Sequence, residues 1–256
     1  MPRFAITELW IYPVKSLGGM RVPRAAVTPA GSFAGDREWL VVRPDGSMLW
    51  QGDLPRMTLL STTLAGDVLT ITRPDGAAIT VSANHDGQPL IVTQYGHSLA
   101  GVDAGDASAA WLSDWLGAPC RLVHLGTAAH QWSGLNPIHV ISEHSLRLLN
   151  QRLLEQGDIA MELERFRPNV VVAGDHAPFD EETTPMLNFG LAQILLNEPC
   201  IRCELPNISR VDASREKQPL KLIGKMARDR PSSKPASFGT YARARGSELI
   251  EGMTAD

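Results

Sequence analysis

The sequence predicts a strand-rich α+β protein, and three observations support this class. Short runs rich in β-branched and aromatic residues occupy the first hundred positions, separated by turn formers such as Pro44-Asp45-Gly46. Apolar residues recur at helical spacing in only three segments. Helices and strands do not alternate in a regular βαβ pattern, which disfavours a parallel α/β sheet. Short strands with frequent turns are typical of a β-barrel or sandwich.

The predicted strands lie in both halves of the chain. In the first half they span residues 4–12, 22–27, 39–42, 59–64 and 68–71. In the second half they span residues 121–125, 169–173, 191–196 and 238–242. The basic, proline-containing segment 228–237 predicts an exposed loop. A soft boundary near Cys120 divides the chain into residues 1–120 and residues 121–256.

Three helices are predicted from apolar spacing and end signals. The first, over residues 107–116, ends at Gly117, because glycine readily adopts the left-handed backbone that closes a helix. The second, over residues 142–156, begins at Ser142, whose hydroxyl can accept a hydrogen bond from a free N–H of the first turn. The third spans residues 219–228 and begins with proline, which the first helical position tolerates.

The composition excludes several classes of protein. With 43% hydrophobic and 20% charged residues among 256, the chain is typical of a soluble globular protein. A net charge of −4 argues against a broad nucleic-acid interface. No apolar run approaches the ~18 residues of a membrane span. Three cysteines cannot all pair and no secretory signal is seen, so we expect a reducing, cytoplasmic setting away from membranes.

The strongest chemical signal is the segment Pro199 to Pro206, in which Arg202 stands between Cys200 and Cys203. A positive charge beside a thiol favours the thiolate, which is both a nucleophile and a metal ligand. The Cys-x-x-Cys spacing alone is compatible with half a zinc site, a redox pair, a soft-metal ligand or two ordinary buried cysteines.

The rest of the chain argues against a zinc site, a thioredoxin-like redox pair and an iron–sulfur cluster. A zinc site needs four ligands, but only Cys120 remains, and His139 and His144 flank a predicted strand-to-helix junction rather than one helix face. A thioredoxin-like pair would open a helix within a βαβ unit, which is not predicted. A plant-type iron–sulfur cluster needs four cysteines, so we expect no such cluster in this chain.

Cationic residues at predicted strand ends are candidate anion sites. Pro168 biases Arg167 to extended backbone, so its planar guanidinium would project from a stiff segment toward a phosphate or carboxylate. A solvated arginine at a strand edge explains the same pattern. Lys15 and Ser16 precede two glycines, in a loop whose N–H groups could hold an anion. Arg37, between two acidic residues, is more typical of a surface ion-pair cluster.

Five segments in order resemble the MOSC superfamily, named for the C-terminal domain of molybdenum-cofactor sulfurase. The resemblance is to the two-domain branch that includes the mitochondrial amidoxime-reducing component and its bacterial relatives. It covers nearly the whole chain through residues 9–16, 35–40, 166–169, 199–203 and 238–241. It implies an N-terminal β-barrel-like domain over residues 1–120 and a MOSC β-barrel domain with a few helices over residues 121–256.

The resemblance also implies a pyranopterin molybdenum cofactor. Cys203 would be the thiolate ligand to molybdenum, with Tyr241 near the metal and Cys200 in a supporting role. Residues at positions where relatives hold the cofactor's phosphate and pterin are Lys15, Ser16, Arg37, Arg167, Asn169 and Arg202. Further candidates at the start of the second helix are Ser142 and Ser145.

The implied activity is the two-electron reduction of N-hydroxylated compounds such as hydroxylamines, amidoximes and N-hydroxylated bases. Because no iron–sulfur domain is expected here, a separate reductase or ferredoxin would supply the electrons. Two alternatives stay open. The protein could carry the cofactor or transfer sulfur through a Cys203 persulfide, or it could be an interaction module without a cofactor.

Overall fold

The strands predicted from β-branched runs form within three residues of their predicted limits, with two exceptions. The strand predicted at residues 191–196 extends to Ile201, and the one predicted at residues 22–27 divides into two short strands. The computed structural model describes residues 3–230 and 234–255, and within these residues it contains seventeen strands, three α-helices and five short 3-10 helices. The predicted strand-rich α+β class is confirmed. Residues 231–233 of the predicted loop 228–237 lie outside the described residues.

The strands are β1 (Phe4–Ile11), β2 (Met20–Val22), β3 (Arg24–Ala26), β4 (Trp39–Val42), β5 (Ser61–Ala65), β6 (Val68–Thr72), β7 (Ala78–Ser82), β8 (Pro89–Gln94), β9 (His97–Asp103), β10 (Arg121–His124), β11 (Ile138–Ser142), β12 (Val170–Ala173), β13 (Met186–Asn188), β14 (Gln193–Ile201), β15 (Ser237–Arg245), β16 (Glu248–Ile250) and β17 (Thr254–Ala255). The α-helices are α1 (Asp106–Leu116), α2 (Glu143–Glu155) and α3 (Leu220–Arg228). The 3-10 helices are Pro55–Leu59, Gly126–His130, Leu163–Arg165, Asp180–Glu182 and Leu205–Asn207.

The largest sheet has eight strands and joins the two ends of the chain. Its order is β13-β14-β15-β11-β12-β1-β17. The eighth strand, β2, also pairs with β1, along a different stretch of β1 from the one that pairs with β17. The first strand, β1, runs antiparallel to β12, with Leu9 opposite Val170. Strands β11 and β12 are parallel, with Val140 also opposite Val170. A strand from the start of the chain therefore lies inside a sheet built mainly from the second half.

A second sheet has the order β4-β10-β9-β8. It is built mainly from the first half of the chain but includes β10 from the second half. Strand β10 begins after the predicted boundary, yet Arg121 pairs with Val42 of β4. The smaller sheets are β5-β6-β7 and β3-β16. Because both main sheets take strands from each side of Cys120, pairing crosses the predicted boundary, and the division into residues 1–120 and 121–256 stays a prediction.

Three large apolar clusters hold these layers together, and each fully buried aliphatic or aromatic side chain contributes about 1.5–3 kcal/mol relative to exposure. The largest lies within the eight-stranded sheet and includes Ile6, Leu9, Val140, Val172 and Ile194. The second packs α1 on the first half of the chain through Trp39, Val41, Leu112, Leu116 and Leu122. The third packs α2 and α3 on the sheet through Leu149, Leu153, Phe166, Ile223 and Phe238.

The predicted start of α2 and the predicted end of α1 are confirmed by their hydrogen bonds and dihedral angles. Pro219, predicted at the first position of the third helix, instead immediately precedes α3. Ser142 caps α2, since its hydroxyl accepts a hydrogen bond from His144 N at 3.1 Å. Gly117 closes α1 with a left-handed φ of 70°. In the described part of the chain, no helix is long and apolar enough to cross a membrane.

Candidate functional site

Loops from both halves of the chain converge on a cavity of about 450 Å³. Seven of the ten predicted site residues line it: Lys15, Ser16, Arg37, Arg167, Arg202, Cys203 and Tyr241. Several other lining residues were not assigned to the site from the sequence, and these include Trp50, Tyr95, His97, Trp132 and His139, of which His139 was considered only as a zinc ligand. These residues belong to no motif or periodic pattern in the sequence, so the fold is what brings the distant ones together.

The loop that follows β1 carries Lys15 and Ser16 into the cavity. Lys15 N donates to Trp39 O at 3.0 Å, which attaches the loop to the start of β4. Gly18 N donates to Leu60 O at 2.8 Å, and a Cβ at Gly18 would lie only 2.8 Å from that oxygen. A glycine is therefore required for the close approach of the two backbones.

Arg37 lies beside a fully buried carboxylate, so the predicted surface ion-pair cluster is wrong. Asp36 is 0% exposed, accepts a hydrogen bond from Tyr12 N at 2.8 Å and forms an ion pair with Arg37. On its other side, Arg37 Nη1 donates to Asn169 Oδ1 at 3.0 Å. The acidic neighbour is thus an internal anchor that orients Arg37 toward the cavity.

The expectation of extended backbone at Arg167 is also wrong, because its φ is +55°. Proline at the next position disfavours only the right-handed helical region. Arg167 N donates to Glu164 O at 3.2 Å as the chain leaves a 3-10 turn, and this bond favours a folded conformation. The guanidinium donates to Leu17 O and stacks 4.2 Å from the centre of the Tyr12 ring.

Four cavity residues have left-handed backbone although none is glycine. The φ angles of Ser16, Arg37, Tyr95 and Arg167 are 70°, 56°, 51° and 55°. Such conformations cost on the order of 1–3 kcal/mol each in general and concentrate at functional sites. The sequence carries no direct signal of this strain, since glycine is the residue that normally marks positive φ.

Asn169 is 0% exposed and lies beneath the cavity instead of lining it. Its side-chain Nδ2 donates to Trp10 O at 3.1 Å, while Oδ1 accepts from Arg37 and from His139 N at 3.2 Å. Asn169 therefore reaches the cavity through Arg37, to which it is hydrogen-bonded.

The cysteine segment separates its two thiols. Cys203 is exposed just beyond the end of β14, whereas Cys200 is 1% exposed. The guanidinium of Arg202 donates two hydrogen bonds, one from Nη1 to Cys200 Sγ at 3.1 Å and one from Nη2 to Phe166 O at 2.8 Å. Cys203 is thus the accessible thiol at the cavity, and Cys200 helps to hold Arg202.

The cavity carries an excess of positive charge near Cys203. Burial, followed by the charges of Arg37 and Arg167, lowers the pKa of Lys15 to about 7. Burial and the Arg37 charge also lower the pKa of Arg167. In the described residues, Arg167 Nη2 and Arg202 Nε are buried without a hydrogen-bond partner. Guanidinium nitrogens without a partner, and a lysine whose charged form is disfavoured by burial and by neighbouring like charges, would favour the binding of an anion here.

Ser142 and Ser145, predicted as cofactor contacts, do not line the cavity. Ser145 Oγ donates to Glu181 Oε1 at 2.7 Å and accepts from Phe179 N at 2.8 Å. Ser142 N donates to the same carboxylate at 3.2 Å. Both serines are fully buried, so the start of α2 is bonded to Glu181 and not directed at the cavity.

The arrangement can bind an anionic group with cationic side chains and offer one exposed thiol beside it. Burial, followed by the charge of Cys200, raises the pKa of Tyr241, so its hydroxyl stays protonated and can donate a hydrogen bond. No group of three or more histidine, cysteine or acidic side chains that could hold a metal ion is found in residues 3–230 and 234–255.

Residues 3–119 match the family model of the MOSC N-terminal beta barrel domain, and residues 123–251 match that of the MOSC domain. The chain is 30% identical over 270 residues to mitochondrial amidoxime-reducing component 1 of Homo sapiens, covering 92% of this chain and 77% of that protein. It is 27% identical to molybdenum cofactor sulfurase of Danio rerio, covering 92% of this chain but 31% of that protein.

A solution structure of a protein from Bordetella bronchiseptica superposes with a TM-score of 0.33 at 23% identity, over 37% of this chain and 76% of that one. That superposition is too weak to bear on the fold. The two family models cover nearly all of the chain and confirm the resemblance seen in its motifs. The chain therefore belongs to the MOSC family, with a MOSC N-terminal beta barrel domain followed by a MOSC domain.

Proposed function

We propose that this protein is a reductase of N-hydroxylated compounds that acts with a bound molybdenum cofactor. The observation that carries the proposal is an exposed thiol, Cys203, at a cavity lined by Lys15, Arg37, Arg167 and Arg202. The name of the human relative, an amidoxime-reducing component, supports the reaction class. The name of the zebrafish relative supports an association with molybdenum cofactor.

The residues present fit such a cofactor. A phosphate-bearing ligand would supply acceptors for the partnerless nitrogens of Arg167 and Arg202 and a counter-charge for Lys15. A thiolate is the soft ligand that molybdenum would take, and Cys203 is the exposed thiol at the cavity. We therefore assign the phosphate and pterin to Lys15, Ser16 and the three arginines, and the metal bond to Cys203.

When bound, the cofactor would supply a two-electron reduction of N–OH to N–H with release of water. The side chains of this protein would hold the cofactor and orient the substrate. Arg37 and Arg167 hold the anionic end in place because their own positions are set by Asp36 and Leu17 O. The protonated hydroxyl of Tyr241 can donate a hydrogen bond to a substrate oxygen. The reduction consumes two protons and two electrons for each water released.

The electrons would come from a separate donor protein, either a reductase or a ferredoxin. Cys203 is exposed and lines the cavity, so a docked donor could approach a metal bound there from solvent. The chain has three cysteines, and of these Cys120 and Cys200 are buried. The cytoplasmic setting expected from the sequence stays a prediction, and the human relative is named as a mitochondrial protein.

One observation also favours a second function, in which the protein carries the cofactor or transfers sulfur. An accessible cysteine beside an arginine could hold a persulfide as readily as a metal, and Cys203 is exposed whereas Cys200 is buried. The two functions differ in whether the loaded protein turns over a substrate.

The proposal is tested with the full chain produced in a molybdenum-replete host. Metal and pterin analysis should find about one molybdenum per chain, because one thiolate ligand is assigned. Reduction of benzamidoxime or hydroxylaminopurine is then followed with an artificial electron donor. Cys203→Ala should lose both molybdenum and turnover, whereas Cys120→Ala, which alters a buried thiol in the α1 cluster, should keep both.

Molybdenum bound without turnover would eliminate the reductase and leave the carrier. Protein that holds neither molybdenum nor pterin would eliminate both functions.

A further inference from the structure

The imidazole of His139 is buried where three cavity segments meet. It lies on β11, is 4% exposed and forms part of the cavity wall. Its Nδ1 lies 3.2 Å from Phe166 O, next to Arg167, and its Nε2 lies 3.1 Å from Phe238 O, on the strand that carries Tyr241. Arg202 Nη1 lies 3.3 Å from each of the two ring nitrogens.

Each ring nitrogen therefore faces a carbonyl oxygen that could accept a hydrogen bond from it. A neutral imidazole has a single N–H, so it can donate to only one of the two carbonyl oxygens, and its other nitrogen directs a lone pair at the second. A doubly protonated ring would donate to both carbonyls, but it would place a positive charge against the guanidinium of Arg202.

The charges around the ring decide between these states. Burial first, and then the charges of Arg202 and Arg37, lower the pKa of His139 well below its usual value. The centre of the Tyr241 ring lies 6.2 Å from that of the imidazole. Arg202 Nη1, the nitrogen nearest the imidazole, also donates a hydrogen bond to Cys200 Sγ. The neutral ring is therefore favoured while Arg202 has no external counter-charge. An anion bound at Arg202 would remove much of the repulsion.

We propose that His139 is a positioning residue that takes up a second proton when an anion occupies the cavity, and so ties the segments carrying Arg167 and Tyr241 to β11. The proton comes from solvent, and the only covalent change is one new N–H bond on the ring. Both ring nitrogens then donate, one to Phe166 O and one to Phe238 O. The inference rests on the proposed function only in that an anionic group binds at Arg202.

The test uses the full chain without cofactor and sulfate as the anion, since the charge of sulfate stays constant over the titration. Nuclear magnetic resonance of ¹⁵N-labelled histidine rings reports directly whether each ring carries one proton or two. In a titration from neutral pH downward, the His139 ring should gain its second proton at a higher pH with saturating sulfate than without it, because the bound anion offsets the charge of Arg202.

His85 is a matched control within the same chain. Its two ring nitrogens also face carbonyl oxygens, Ser82 O at 2.8 Å and Asp103 O at 2.9 Å, but it is not part of the cavity lining. Saturating sulfate should leave the ¹⁵N signals of the His85 ring unchanged. A purely structural role for His139 predicts that its ring, too, is unaffected by sulfate.

Sulfate affinity gives a second readout. In the wild type it should rise as the pH falls below about 6.5, by at most about tenfold per pH unit for one linked proton. His139→Gln, which cannot titrate, should bind sulfate at higher pH but lose this rise. Sulfate that saturates the cavity without raising the pH at which His139 gains its second proton overturns the coupling alone. Failure of sulfate to bind at all overturns the coupling together with the anion site of the proposed function.

Discussion

Arg37 and Arg167 stand 130 positions apart in the chain, yet Arg37 Nη2 donates a hydrogen bond to the carbonyl oxygen of Arg167 at 3.3 Å. Both guanidinium groups also stack on the Tyr12 ring, at 5.0 Å and 4.2 Å from its centre. Two like charges are thus held against the same aromatic ring. Their repulsion is an energetic cost that a bound anion would relieve, and the first two predictions follow from it.

Arg167→Lys should weaken sulfate binding although it keeps the positive charge. Lysine cannot reproduce the planar fork, and a hydrogen bond to a charged group contributes about 1.5–3 kcal/mol, which corresponds to roughly 10- to 150-fold in affinity. Isothermal titration calorimetry on the cofactor-free chain measures the change. Arg215→Lys, at an exposed ion pair with Glu204, is the control and should bind as the wild type does. Equal affinities for the two variants would remove Arg167 from the anion site.

The pH dependence of sulfate binding should reveal Lys15. Its pKa is lowered to about 7 without an anion, and a bound anion raises that pKa, so binding is accompanied by proton uptake above pH 7. Sulfate affinity should therefore fall as the pH rises through that value, by up to about tenfold per pH unit. Lys15→Gln should flatten this part of the curve. A wild-type affinity that is constant across neutral pH would contradict the assignment.

Lys15 should also make folding stability depend on pH, but stability should increase with rising pH, whereas sulfate affinity falls. The unfolded lysine binds its proton more tightly than the folded one, because the folded pKa is the lower of the two. The free energy of unfolding of the anion-free chain should therefore increase as the pH rises from about 7 toward the unfolded value of about 10.4. Urea denaturation at several pH values, compared between the wild type and Lys15→Gln, isolates this contribution.

Asp36→Ala should destabilise the whole protein. The substitution leaves Tyr12 N and the Arg37 guanidinium without their buried acceptor, and breaking a buried pair in this way costs about 3–5 kcal/mol. Urea denaturation measures the loss. Asp86→Ala, at an exposed position, serves as the control and should change stability by less than about 0.5 kcal/mol. A loss at Asp36 as small as that at Asp86 would show that the carboxylate is not an anchor.

Gly239→Ala should both destabilise the protein and disturb His139. Gly239 has a φ of +72°, and an added Cβ would lie 2.5 Å from Val140 O and 2.6 Å from His139 Nε2. Left-handed backbone alone costs an alanine about 1–2 kcal/mol, and the overlap adds to that. Gly224→Ala in α3 is the contrasting variant, because its Cβ would meet no atom within 4 Å. It should be neutral or stabilise by up to about 1 kcal/mol in thermal or urea unfolding. Equal effects of the two substitutions would refute the steric argument.

Ser145→Ala should lower stability without changing molybdenum content or sulfate affinity. The hydroxyl bonds to Glu181 and Phe179 N, away from the cavity, and its loss leaves buried groups unsatisfied at a cost of about 1–3 kcal/mol. Ser16→Ala is the opposite case, because Ser16 lines the cavity, and it should reduce sulfate affinity. A molybdenum loss in Ser145→Ala at full folding would restore this serine as a cofactor contact.

Local signals predicted much of the secondary structure. Capping chemistry located the start of α2 at Ser142 and the end of α1 at Gly117, since both depend on neighbours within one helical turn. Strands β7, β8 and β9 escaped prediction because they are partly exposed and interrupted by polar residues. The β8–β9 hairpin turns at Tyr95-Gly96, where both residues have positive φ, and only the glycine is an obvious turn signal.

The motifs in their order determined the family, the candidate thiol Cys203 and six of the cationic, hydroxyl and phenol groups that line the cavity. Tertiary structure alone decided that Asp36 is buried, that Arg167 has left-handed backbone, that Ser145 faces Glu181 and that His139 touches Arg202. The physical reason is distance along the chain. Residue type and spacing encode interactions within a turn or a hairpin, whereas these contacts join segments brought together only by strand register in the eight-stranded sheet and the packing of loops around it.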